Sequence, residues 1–144
     1  MKTPYDAAMR VRQRELDEVS TAIRAESGTL SVLEQERERL RAALRSEAQV
    51  AAELALCSQA WQGRMRGQGR QLGVLQAQVQ ERIEQLREVA IDAYGTLRSI
   101  ETAAEDYRRD AARIEATAEQ SASDDLGAVA FIKARRLIQR EGPR

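Results

Sequence analysis

Apolar side chains recur along this chain with a period of seven. With Met9 at position a of a repeat lettered a to g, the later a positions are Leu16, Ile23, Leu30, Leu44, Ala51, Met65, Leu72, Val79, Leu86, Ala93, Ile100, Tyr107 and Ile114. Only Arg37 and Ser58 interrupt that column. The d column is half polar: Val19, Leu33, Leu40, Leu54, Trp61, Leu75, Val89 and Ala103 are mixed with Arg12, Glu26, Glu47, Gln68, Arg82, Thr96 and Asp110. A sustained a column beside an imperfect d column predicts helices paired along a loosely specified seam. In the second half the e positions Ile83, Ala90, Leu97, Ala104, Ala111 and Ala118 are apolar as well, which widens the stripe. Two readings follow: tighter packing through small residues, or a face for a third helix or a partner protein.

Start and stop signals divide the pattern. Thr3, Pro4 and Asp6 suit a helix start, as cap, first helical residue and early carboxylate. Gly28 precedes a capping-box spacing from Ser31 to Glu34, but the heptad phase survives it, so a kink at most is expected. The densest break is WQGRMRGQGRQLG, with Gly63, Gly67, Gly69 and Gly73; four glycines in a helix cost roughly 3 to 4 kcal/mol relative to alanine. A reversal there pairs the arms so that partner residue numbers add to 133, as in Leu54 with Val79, Leu33 with Ile100 and Val19 with Ile114. Registers a heptad away satisfy the same arithmetic. SASDDLG, residues 121–127, predicts the end of the second arm, followed by a short apolar and basic segment that Gly142 and Pro143 stop.

The expected fold is therefore all-α, a single domain of two long helices forming an antiparallel coiled-coil hairpin. Arm one covers about 4–62, the turn about 63–70, arm two about 71–120 and a C-terminal basic segment about 124–144. The alternative is one long helix that pairs with another chain, as in a structural scaffold or dimerisation rod.

Composition removes most chemistry. There is no histidine and Cys57 is the single cysteine, so histidine-centred catalysis, intramolecular disulfides and most transition-metal sites are not expected. The glycine-rich stretch has neither the Lys nor the Ser/Thr of a phosphate loop, and Gly67 and Gly69 are followed by Arg70, Gln71 and Leu72, which breaks the dinucleotide pattern. Acid pairs such as Asp124 with Asp125, or Glu15 with Asp17, read as surface charge. Cys57, at the flank of the seam, reads as a packed thiol, with a reactive thiol as the alternative. Formal net charge is zero, so polyanion binding would have to be local, and no nucleic acid is expected as a partner. No apolar run approaches the roughly 20 residues that span a bilayer, and no secretory signal is apparent, which points to the cytoplasm. The expectation is a non-enzymatic protein with no cofactor, no metal and no small-molecule substrate.

Two charged regions remain. Arg64, Arg66 and Arg70 form a basic turn, either solvated or anion-binding. ARRLIQREGPR, preceded by Lys133, and MRVRQR, with Arg10, Arg12 and Arg14, would be brought together at the open end of a hairpin, where they either are solvated or concentrate positive charge beside exposed apolar residues.

An amphipathic Arg/Glu start such as AAMRVRQRELDEV, two heptad arms, and an acidic pair before an apolar and then basic tail together resemble the FliJ family of the flagellar type III export apparatus. Stalk proteins of virulence secretion systems are similar. The resemblance covers nearly the whole chain, though few aromatics flank the turn and its glycines are denser than the family pattern. It implies an antiparallel two-helix coiled coil, like the central stalk of rotary ATPases, whose open ends enter and stimulate the hexameric export ATPase FliI. It also implies that the turn meets the export gate protein FlhA, that the protein escorts export chaperones, and that it works in the cytoplasm, peripheral to the inner membrane at the flagellar base. On this chain the resemblance makes Arg10, Arg12, Arg14, Lys133, Arg135 and Arg136 candidates for ATPase binding, and Trp61, Met65, Leu72 and Leu75 candidates for gate binding.

Overall fold

The computed structural model describes residues 1–54 and 59–142, and among these every regular element is helical. Helix α1 is Asp6–Leu54 and helix α2 is Gln59–Arg140. The two helices of the same chain pack against each other in antiparallel fashion, so the helical hairpin expected from the heptads is present.

The start of α1 is built as its sequence indicates. The Asp6 backbone N–H donates to the Thr3 carbonyl at 3.2 Å, while the Asp6 carboxylate accepts from the Thr3 N–H at 3.1 Å and from the Thr3 hydroxyl at 2.5 Å. Only the reciprocal half of a capping box is therefore formed: the Asp6 carboxylate holds the Thr3 N–H, while the Thr3 hydroxyl donates to that carboxylate and the Asp6 N–H is satisfied by the Thr3 carbonyl. α1 then runs without interruption through Gly28.

The reversal is not where the glycines suggested. Gly63, Gly67, Gly69 and Gly73 all lie inside α2, which is already helical from Gln59, and α1 ends at Leu54. The expected turn at 63–70, and with it the boundaries of arms one and two, is therefore corrected. So is the pairing: Leu40 lies against Gly69 and Arg37 against Gly73, so partner numbers add to about 109 rather than 133. The readings made for Cys57 and Ser58, and for Pro143 and Arg144, lie outside the described residues.

The shift in register selects a different seam on α2. On α1 the half-buried positions follow the a and d columns, including Leu16, Val19, Ile23, Leu30, Leu33, Leu40 and Leu44. On α2 they follow a and e: Val79, Ile83, Leu97 and Ala104 are buried, with Leu86, Ala90, Ala93 and Ile100 half-buried between them. Leu75 and Val89, apolar members of the d column, are exposed at 47% and 51%. The widened stripe is thus covered by α1 itself, as the tighter-packing reading had it as far as Ala104. Burying an Ile or Leu side chain contributes about 1.5 to 3 kcal/mol. Burying Ile83 and Leu97 in the seam contributes about 3 to 6 kcal/mol together, enough to offset the roughly 3 to 4 kcal/mol that four helical glycines cost.

Polar residues in the seam find partners across it. Arg37, which interrupts the a column, donates to the Gln76 side-chain carbonyl at 3.0 Å, and Glu26 meets Arg82 at 3.7 Å.

The chain divides into two compact units. One contains Arg10–Leu97, with the buried side chains of Val79, Ile83 and Leu97. The other combines Met1–Met9 with Arg98–Arg144 and holds buried Ala104 and Thr3. In this second unit Tyr5 packs edge-on against Tyr107, with ring centroids 6.3 Å apart, and Asp6 lies 3.9 Å from Arg108. Past that contact α2 continues without a break through SASDDLG to Arg140, which corrects the expected helix end at 121–127. Every residue of 112–140 is exposed.

Candidate functional site

The exposed portion of α2 is the most distinctive surface of the chain. It carries Lys133, Arg135 and Arg136, three of the candidate ATPase-facing residues, on a helical segment that α1 does not cover. Beside them stand Leu126 at 72%, Phe131 at 67% and Ile138 at 72% exposure. From residue 126 to 140 the charged side chains are Lys133, Arg135, Arg136 and Arg140, with no acid among them. Exposed cations beside exposed apolar groups suit a surface that recognises an acidic partner with apolar anchors.

The very start of the chain is not brought to the basic end of α2. The beginning of the chain meets α2 at Tyr107 and Arg108, and Lys133 lies 25 residues farther along the same helix, about 37 Å at 1.5 Å per residue. The reason is the register: the first residues of α1 already stand against Tyr107 and Arg108, so the last turns of α2 lie beyond them. Arg10 and Arg14 are exposed on α1, while Arg12 occupies a half-buried d position and pairs with Glu15 at 2.7 Å.

The four candidate gate-facing residues fall in the first turns of α2. Met65 and Leu72 are half-buried at a positions, with Met65 lining a shallow depression beside Leu40 and Leu44 of α1. Trp61 is half-buried, and Leu75 is exposed together with Val74. Met65 and Leu72 therefore serve the seam, while Leu75 and Val74 are presented outward. Arg64, Arg66 and Arg70 are exposed on the same helix.

Electrostatics elsewhere are those of a solvated helix surface. Ion pairs such as Arg87 with Glu84 at 2.6 Å and Arg113 with Asp110 at 2.6 Å join residues one turn apart. Arg45 donates a hydrogen bond to Glu38 at 2.9 Å, and that bond, with the attraction of the same guanidinium, holds the Glu38 carboxyl below its ordinary 4.5. Among the described residues no group of three or more His, Cys, Asp and Glu side chains is arranged to hold a metal ion, and no helix is long and apolar enough to cross a membrane.

Heptad reasoning missed the polar seam pairs Arg37 with Gln76 and Glu26 with Arg82. Their signal was present: a cation or acid at an a or d position of α1 calls for a polar partner across the seam. Comparison of the chain with protein-family models, with curated proteins and with solved structures finds no match.

Proposed function

We propose that the chain is a non-enzymatic, FliJ-like stalk that binds and stimulates a hexameric type III export ATPase. The observation that supports this reading is the exposed basic end of α2, where Lys133, Arg135 and Arg136 stand beside Phe131 and Ile138 with no cover from α1. Each exposed ion pair formed with a ring subunit contributes about 0 to 1 kcal/mol, so many such contacts permit a stalk to engage successive subunits without locking to one. In this proposal Arg10, Arg12 and Arg14 supply further contacts to the ATPase. The outward-facing residues near the reversal, Leu75 above all, with Trp61, Met65 and Leu72 shaping the surface behind it, meet an export gate protein of the FlhA kind. Escort of export chaperones and a place at the inner membrane through these partners belong to the same proposal.

The test is the ATPase activity of a purified hexameric export ATPase, flagellar or virulence-type, with and without this protein. Stimulation that falls severalfold in an Arg135→Ala/Arg136→Ala variant and at raised salt supports the stalk. An intact protein that neither binds nor stimulates the ATPase overturns it.

A further inference from the structure

We propose that α2 residues 112–140 pair with the same segment of a second copy of this chain, antiparallel, acidic half against basic half. The proposal does not rest on the export role.

The segment is a helix that no described residue of the chain covers. α1 begins opposite Tyr107 and Arg108, Ala111 is the last half-buried residue of α2, and everything from 112 to 140 is exposed. Isolated helices are marginal in water, and most helical stability in proteins comes from packing an apolar face. This one has a line of small and apolar residues over its last turns: Gly127, Ala130, Ala134 and Leu137 follow one another at spacings of three, four and three, the period of a paired helix, and polar Ser123 and Gln120 continue the line before them. Leu126, Phe131 and Ile138 flank that line and are 72%, 67% and 72% exposed.

Charge identifies what covers it. Residues 112–125 contain Glu115, Glu119, Asp124 and Asp125 against one cation, Arg113, for a net charge of −3. Residues 126–140 contain Lys133, Arg135, Arg136 and Arg140 and no acid, for a net charge of +4. The segment is therefore bipolar, with its charge reversing close to Gly127. A parallel copy would set like charge on like. An antiparallel copy sets each half on its opposite and crosses near Gly127, where an added Cβ would meet nothing within 4 Å and the helices are free to approach. An anionic lipid surface, by contrast, would attract the last four turns and repel the turns before them. The pairing is isologous, the same patch on both copies, and so closes at a dimer. It also engages Lys133, Arg135 and Arg136, so a dimer and an ATPase complex would compete for the same side chains.

Sedimentation equilibrium of the full chain tests the proposal. A concentration-dependent dimer is expected, with a dissociation constant that rises about tenfold or more from low to high salt. Arg135→Glu/Arg136→Glu weakens it, and so does Glu119→Lys/Asp124→Lys/Asp125→Lys; circular dichroism confirms that both variants keep the parent's helicity. Mixing the two variants restores a heterodimer, because the acids introduced at positions 135 and 136 then stand against the lysine introduced at position 119, and the unaltered halves still face each other with opposite charge. A wild-type chain that stays monomeric at low salt overturns the proposal, whether or not it sediments with phosphatidylglycerol vesicles. So does a dimer that both charge reversals leave unchanged.

Discussion

Gly63 and Gly73 sit two to three turns apart inside α2, and a methyl group added to each meets different surroundings. At Gly63 it meets nothing within 4 Å, whereas at Gly73 it comes within 3.4 Å of the Arg37 guanidinium. That separation is an ordinary van der Waals contact, and the guanidinium keeps its hydrogen bond to Gln76 at 3.0 Å. Gly63→Ala is expected to stabilise the chain by about 1 kcal/mol, the helix-propensity difference alone. Gly73→Ala is expected to gain at least as much, because its methyl adds contact with Arg37 without displacing it. Urea unfolding followed by circular dichroism at 222 nm measures both; a loss at Gly73 would mean that Arg37 has to move. The contrast also explains why the glycines misled. Their cost is local and was read correctly, but Gly69 and Gly73 lie where Leu40 and Arg37 cross the seam, and that packing is invisible one residue at a time. The helix start at Thr3, Pro4 and Asp6 was legible because all its partners lie within four residues of one another.

At the scale of the helices, the seven-residue period established two paired α-helices and placed the α1 seam on the right columns. It did not establish the register. When d and e are both partly apolar, a helix has two possible seams, and α2 uses the one that keeps Arg82, Thr96 and Asp110 in solvent while burying Ile83, Leu97 and Ala104. The choice depends on summed burial across many turns, against which one cluster of glycines is a small term. Truncations distinguish the columns. Ile83→Ala and Leu97→Ala, 4% and 6% exposed, are each expected to destabilise by about 2 to 4 kcal/mol through lost burial and the cavity left behind. Val89→Ala, in the d column and 51% exposed, is expected to change stability by less than about 1 kcal/mol. Comparable losses at all three positions in chemical denaturation would return the seam to the a and d columns. The candidate site was legible in part for the same reason: the cations at Lys133, Arg135 and Arg136 stand out in the sequence, but their separation from the start of α1 follows from a register that heptads alone leave open.

Across the whole chain, zero net charge conceals a strong segregation, and burial is segregated as well. Among the described residues every buried hydrophobic side chain lies between Val79 and Ala104, and α2 continues for 36 residues beyond Ala104. Backbone hydrogen bonds in a helix with no apolar cover open with little cooperation from neighbouring structure, whereas those beneath a packed seam open only when the pair separates. Amide hydrogen exchange on the dilute chain is therefore expected to show protection in residues 115–140 on the order of 100-fold below that in residues 79–104. Protection in 115–140 should then rise with protein concentration or on adding a bound partner, while 79–104 changes little. A partner that engages only the basic end would protect 128–140 first, whereas antiparallel self-pairing would protect 115–125 and 128–140 together, since each half covers the other. Equal protection of 79–104 and 115–140 in the dilute chain would show that the end of α2 holds its helix without burial, and the need for a covering partner would fall away.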